Sequence, residues 1–122
     1  MESFEETLYD VYGKPVAYID YGDENSVFLW NGRAVAYLNG EDIYGFNGCH
    51  LGWYVNGEIH DHSGRLVGFN EMASPVIVAL EPIKSFKELK PFKALEQFAP
   101  FQPFFSSIRS DVDLFSLLMQ GR

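Results

Sequence analysis

The stretch Ile43-Tyr-Gly-Phe-Asn-Gly-Cys-His-Leu-Gly-Trp-Tyr54 contains two apolar segments on either side of the turn dipeptide Asn47-Gly48. The same arrangement occurs four times in the first 70 residues, with successive turn glycines 19, 16 and 16 residues apart. A fixed spacing of apolar segments around a turn residue is typical of repeated β-hairpins. The four turn glycines are Gly13, Gly32, Gly48 and Gly64.

Positions at fixed distances from each turn glycine carry the same type of residue. An aliphatic residue stands three after the glycine, Ala or Gly four after it, and an aromatic residue five after it. Because side chains alternate along a strand, the aliphatic and the aromatic residue are predicted to share one face, with the rings meeting in a common interior. The small residue faces the other way and permits close approach of a neighbouring backbone. The aromatic positions are Tyr18, Tyr37, Trp53 and Phe69.

The dipeptides Asn31-Gly32 and Asn47-Gly48 favour type I′ turns, whose two central residues both require positive φ. Tyr12-Gly13 and Ser63-Gly64 match that turn poorly, so the sequence predicts a different type for those two hairpins. The short connections between hairpins predict a meander of eight antiparallel strands.

Three segments carry a resemblance to a known family: Gly13-Lys-Pro-Val-Ala-Tyr18, Gly32-Arg-Ala-Val-Ala-Tyr37 and Gly48-Cys-His-Leu-Gly-Trp53. They resemble the small bacterial four-fold β-flower proteins, over about residues 8–70. The resemblance implies hairpins that splay around a pseudo-fourfold axis. That family has no assigned activity, so the resemblance supplies no catalytic residue.

The fold class predicted is all-β: four hairpin repeats over residues 1–74, followed by a Pro/Phe-rich arm and a short helix over 75–122. The net charge is −9 in the first region and +1 in the second. An acidic body argues against a nucleic-acid partner, and no apolar run approaches the ~20 residues of a membrane span. The single cysteine, Cys49, favours a reducing compartment, so we expect a cytoplasmic protein.

The region after residue 74 contains several shorter signals. Residues 76–80 form an apolar run that predicts either a ninth strand or an extended segment crossing the body. Residues 85–88 match a capping box and predict a short helix, and 91–98 a second helical piece. Residues 111–119 predict a terminal helix with an apolar side. That side comprises Leu114, Leu117 and Leu118.

The arm is rich in phenylalanine, and this suggests an interaction site. Either the arm wraps its own body or it inserts into another subunit. With no catalytic motif in the chain, the leading hypothesis is a non-enzymatic assembly or binding module that forms a homo-oligomer through the arm. Four lysines, from Lys84 to Lys93, are predicted either to form a solvated face or to lie on an arm against the acidic body, rather than to bind nucleic acid. The phenylalanines expected at the oligomer contact are Phe92, Phe98, Phe101, Phe104 and Phe105.

Two alternatives involve ligands. His60 and His62 are two apart on a strand and therefore share a face, and His50 lies on the preceding hairpin. Three imidazoles around an open position are the ligands of a catalytic zinc, which would make the protein a metal-binding protein or metal-dependent hydrolase. The histidines also occupy positions that hold packing aromatics in other repeats, which explains them without metal, and no cofactor is expected. The second alternative is a small-molecule pocket on the axis, lined by the rings Tyr18, Tyr37, Trp53 and Phe69.

Overall fold

The computed structural model describes residues 4–122 and contains, within that range, eight strands and one short helix. Each strand pairs antiparallel with the next along the chain, and β1 also pairs with β8 to close a barrel. The predicted meander of four hairpins is confirmed, and closure leaves the sheet without a free edge. The elements are β1 (Glu5–Asp10), β2 (Pro15–Asp20), β3 (Ser26–Leu29), β4 (Ala34–Asn39), β5 (Asp42–Gly45), β6 (His50–Val55), β7 (Glu58–His60), β8 (Leu66–Phe69) and α1 (Leu114–Met119).

The four hairpin turns share one geometry. In each, the turn glycine donates its N–H to the carbonyl three residues earlier, and its φ is positive, as at Gly32 with 92°. Asn31 and Asn47 do not have positive φ, so the type I′ prediction for their turns is wrong. In a three-residue loop of this kind, only the last residue has to adopt the left-handed conformation, and glycine does so without strain. The asparagine before it does not need a positive φ. The Asn31 side chain instead accepts the N–H of Arg33.

A β-bulge follows every hairpin turn. In the second hairpin, Val27 pairs with Ala36 but Phe28 pairs with Ala34, so Val35 is the extra residue. The same register shift occurs in the other three hairpins. The bulge places Val35 in the same apolar cluster as Ala36, while Tyr37 lies in a different cluster. The prediction that the aliphatic and aromatic residues share a face is therefore wrong, because an extra residue breaks the alternation.

The barrel interior is aliphatic, and the buried leucines of α1 extend into it. One buried cluster contains side chains from all eight strands together with the three leucines of the helix. The three leucines therefore reach the barrel interior, whereas Phe115 on the same helix is 50% exposed, so α1 covers one end of the barrel. The aromatic residues lie outside the barrel, and the expectation that their rings meet in the interior is wrong. An eight-stranded barrel is just wide enough for side chains, and the Leu114 side chain lies beside the small residue Gly68, where a Cβ would be 3.3 Å from it.

The terminal helix begins later than the sequence predicted. Its N-cap is Asp113, whose carboxylate accepts the N–H of Ser116 at 2.7 Å, so the helix starts at Leu114 and not at residue 111. Its buried side is the predicted one, formed by the three leucines. No helix within residues 4–122 combines the length and the apolar character that crossing a bilayer requires.

Residues 75–113, here called the arm, run around the outside of the barrel without helix or strand. The predicted helices at 85–88 and 91–98 are therefore wrong, and residues 76–80 are an extended segment and not a ninth strand. The arm donates backbone N–H groups to the carbonyls of the four turn glycines in chain order, at 2.8 to 2.9 Å. The donors are nine residues apart: Ala79 to Gly13, Glu88 to Gly32, Gln97 to Gly48 and Ser106 to Gly64.

These hydrogen bonds fix where the arm lies. In a meander barrel, the turns within the four hairpins all lie at the same end, so the arm makes a circuit around that end. In the single chain described, the arm therefore lies against its own body.

Two glycine substitutions separate backbone strain from arm docking. Gly32 and Gly40 both have positive φ, but a Cβ on Gly32 would overlap the Phe86 carbonyl, whereas nothing lies within 4 Å of one on Gly40. We expect Gly40→Ala to lower the free energy of unfolding by about 1 kcal/mol and Gly32→Ala by about 3 kcal/mol, because the second change also displaces the arm. Urea unfolding measures both.

Trypsin sensitivity at Lys87 gives an independent readout of the arm. Gly32→Ala is expected to speed cleavage there, while Gly40→Ala leaves the rate unchanged. Equal losses of stability and equal cleavage rates in the two variants would contradict the arm contact.

Candidate interaction surface

The arm has a three-residue period, which is that of a polyproline II helix. One residue in three faces the body with its side chain, one in three faces it with its backbone, and the third points away from it. The third set is apolar at ten consecutive positions, and every one of these residues is at least 95% exposed. We call this set the apolar ridge: Ile77, Leu80, Ile83, Phe86, Leu89, Phe92, Leu95, Phe98, Phe101 and Phe104.

The side chains that face the body hold the arm by charge. Lys84 pairs with Glu5 at 2.7 Å, and its ammonium group lies 4.8 Å from the centre of the Tyr18 ring. Lys87 pairs with Asp20. Burial lowers the pKa of Lys87, but the contact with Asp20 outweighs burial and leaves that pKa above its usual value. Of the two arrangements expected for the lysines, Lys84 and Lys87 show the second, contact with the acidic body.

Further along the arm, the side chains that face the body are acidic or aromatic and no longer lysines. Glu96 accepts the hydroxyl hydrogen of Tyr37 at 2.8 Å, and burial together with Glu96 raises the pKa of that tyrosine. At the last hairpin, Phe105 stacks on the His60 ring with 4.2 Å between the ring centres. The arm therefore meets each repeat with side chains suited to that repeat.

The backbone-facing set consists of small residues, prolines and residues that donate N–H groups. Ser85 and Ala94 donate to the carbonyls of Trp30 and Phe46, in addition to the four donors to the turn glycines. Proline has no N–H, and most prolines in this set fall between the donors, whereas Pro103 stands nine residues after the donor Ala94 and cannot make the equivalent hydrogen bond. Three of these prolines are nine residues apart: Pro82, Pro91 and Pro100.

The size of the apolar ridge is outside the normal range for a single soluble protein. Large apolar side chains each present about 150 Å², so ten present about 1,500 Å². The largest apolar patch on a typical monomer is about 300–600 Å². The ridge is therefore the strongest candidate for an interaction surface in the described part of the chain.

The four rings considered for an axial ligand pocket do not surround the axis. Each lies on the outer barrel face, is buried, and is directly opposite a ring of the neighbouring hairpin. Trp53, for example, pairs with His60 and lies 5.9 Å from the Phe105 ring. The barrel interior instead holds aliphatic strand residues and the three leucines of α1. The opposed pairs are Tyr18 with Phe28, Tyr37 with Tyr44, Trp53 with His60, and Phe69 with Tyr9.

The structure brings two of the three candidate metal ligands together. His50 Nδ1 lies 2.9 Å from His62 Nε2, and His50 Nε2 lies 2.9 Å from an Asp42 carboxylate oxygen. His60 is engaged elsewhere, with the Gly64 carbonyl and the Glu58 carboxylate, both at 3.1 Å. Within residues 4–122, no group of three or more His, Cys, Asp or Glu side chains is arranged to hold a metal ion.

The five phenylalanines expected at an oligomer contact divide into two groups. Phe105 is partly buried against His60, while the other four belong to the apolar ridge. The sequence analysis missed the remaining six residues of the ridge. Their signal was the apolar residue at every third position from 77 to 104, which is incompatible with a helical period of 3.6.

Comparison with known proteins gives one match. A family model described as "4-fold beta flower protein" matches residues 6–118, which is nearly the whole chain. No curated protein matches, and no solved structure matches.

The pair of histidines predicts an acid-sensitive fold. Burial, followed by the neighbouring His50, lowers the pKa of His62, so the folded protein binds this proton less readily than the unfolded chain. Stability is then complete above the unfolded pKa of about 6.5 and decreases as the pH falls below it. We expect urea unfolding to show this decrease as the pH falls below about 6.5. His62→Gln removes the titrating group and is expected to flatten the profile, and an unchanged slope in that variant would contradict the assignment.

Proposed function

The chain belongs to the 4-fold beta flower family, and we propose that it is a non-enzymatic assembly module that binds other copies of itself through the apolar ridge. The observation that supports this proposal is the row of ten fully exposed Ile, Leu and Phe side chains on an arm that is otherwise docked. A docked arm is held in place before association, so ordering it adds no further entropic cost to the interface.

The area of the ridge fits a stable protein–protein contact. A standard interface buries about 800 Å² on each partner, and the ridge presents about 1,500 Å². The core of such interfaces is apolar and poor in charged residues. The ridge has this composition along its full length, because it has no charged or polar residue.

Charge supports a protein partner over nucleic acid or an anionic lipid surface. The net charge of the chain is −8. The lysines of the arm pair with carboxylates of the body, for example Lys90 with Asp23 at 2.7 Å. An acidic surface with its cations engaged repels phosphate groups. The lone Cys49 suits a reducing compartment, so we propose that assembly takes place in the cytoplasm.

Loss of ridge residues is expected to dissociate the assembly. The variant Leu89→Ser/Phe92→Ser/Leu95→Ser removes three neighbouring apolar side chains that touch nothing in their own chain. Central apolar contacts cost about 1–2 kcal/mol each when truncated, so we expect at least a 100-fold weaker association with no loss of folding stability. Size-exclusion chromatography with light scattering measures the mass.

The control is Met72→Ser, at a position that is 96% exposed but lies outside the ridge. This variant is expected to keep the mass of the unchanged protein. A monomeric unchanged protein at high concentration would refute self-association. An assembly that survives the triple substitution would show that the arms exchange between subunits or that another surface is used.

A further inference from the structure

We infer that copies of the chain associate side by side through the apolar ridge, and that each copy meets several neighbours, so that the assembly grows beyond a dimer. This inference rests on the proposed function and specifies the geometry of the contact. It excludes a closed pair of two copies, because such a pair covers the ridge on one side of the barrel only.

The ridge points outward from the wall of the barrel. The arm lies over aromatic residues of the outer barrel face: the Lys93 ammonium group is 4.3 Å from the centre of the Tyr37 ring, and Phe105 stacks on the His60 ring. The ridge side chains leave the arm on its opposite side, where they are at least 95% exposed. Two barrels whose walls approach each other at the level of the arm therefore bring ridge against ridge.

The hydrogen bonds between the arm and the turn glycines divide the ridge into three panels. The donors are nine residues apart along the arm, and three ridge residues lie between each donor and the next. Because the four hairpins follow one another around a closed barrel, the three panels face different sides of it. The first panel is Leu80, Ile83 and Phe86, the middle panel is Leu89, Phe92 and Leu95, and the last panel is Phe98, Phe101 and Phe104.

The area of a panel decides how many neighbours the ridge needs. Three large apolar side chains present about 450 Å², whereas a standard interface buries about 800 Å² on each partner. A single side-by-side contact covers one panel, because the convex walls of two barrels diverge beyond it. The other two panels would still expose about 900 Å², which exceeds the largest apolar patch of about 300–600 Å² on a typical monomer. Burial of the whole ridge therefore requires further neighbours.

Each panel is able to contact any other panel. All three consist only of Ile, Leu and Phe. A polyproline II helix rises about 3.1 Å per residue, so successive ridge side chains stand about 9 Å apart in every panel. Apolar side chains pack with their heavy atoms at about 4 Å, so this gap admits one side chain from a neighbour. A contact between two different panels is heterologous and leaves further panels free on both copies, so the assembly continues to grow.

The net charge gives the assembly a characteristic response to salt. Copies of net charge −8 repel one another, while the panels contain no charged residue. Salt screens the repulsion, with a Debye length of about 10 Å at 0.1 M. We expect association to become tighter as sodium chloride is raised from low concentration. An assembly that dissociates under this change is held by ion pairs, which overturns the contact between panels.

The mass of the assembly separates this inference from the proposed function. Light scattering over a wide range of protein concentrations is expected to give a mass that rises with concentration and exceeds two copies. A mass that stops at two copies overturns the contact with several neighbours and leaves self-association standing. A monomer at every concentration refutes both.

Replacing one panel at a time tests whether all three sides of the barrel are used. Each of three variants carries serine at every residue of one panel, and the middle one is Leu89→Ser/Phe92→Ser/Leu95→Ser. We expect all three to weaken association, by factors that agree within tenfold, because each removes the same type of contact. Sedimentation velocity measures the concentration at which half of the copies are associated. Urea unfolding is expected to be unchanged, because the replaced side chains are at least 95% exposed.

A closed pair of copies predicts a different result. It buries the ridge on one side only, so an end panel could be replaced without effect, and an end-panel variant that associates like the unchanged protein overturns the inference. The control is Met72→Ser, at a position that is 96% exposed but outside the ridge, and it is expected to change neither mass nor affinity. Serine at all three panels is expected to give a monomer, and an assembly that persists in that variant overturns the ridge as the contact.

Discussion

The hydrogen bonds between the arm and the four turn glycines are the constraint on which the position of the arm depends. Each is possible because glycine has no Cβ where the arm backbone passes: a Cβ on Gly13 would lie 2.7 Å from the Ile77 carbonyl oxygen. The same glycine adopts the positive φ that closes the turn. One residue type thus serves two requirements in every repeat, and the nine-residue spacing of the arm follows from the spacing of the hairpins.

The hairpins were predictable from sequence because their signal is local. The turn glycine at a fixed distance from apolar segments indicated four hairpins, and the family resemblance pointed to the same fold, which the match over residues 6–118 supports. The side of the sheet on which each ring lies was not predictable from alternation. The extra residue at Val35 reverses the alternation, and nothing in the local sequence distinguishes it from an ordinary strand residue.

The arm illustrates competition between two local signals. A capping box at Ser85 favours a helix, while apolar residues at every third position and prolines at 82, 91 and 100 favour an extended chain. The extended form prevails because it supplies a hydrogen-bond acceptor on the barrel for donors such as Glu88, and because Lys84 and Lys87 then reach carboxylates and rings. The three histidines do not form a common site because of tertiary contacts that the sequence does not reveal. The His60 ring stacks on Phe105 and contacts the Gly64 carbonyl, away from the other two imidazoles.

The leucines of α1 determine when the core can be completed during synthesis. The eight strands precede the helix by more than 40 residues, so the strands are synthesised before these three core residues. At about 5–20 residues per second, several seconds separate the last strand from the leucines. The aliphatic core of the barrel therefore cannot be completed before the end of that interval.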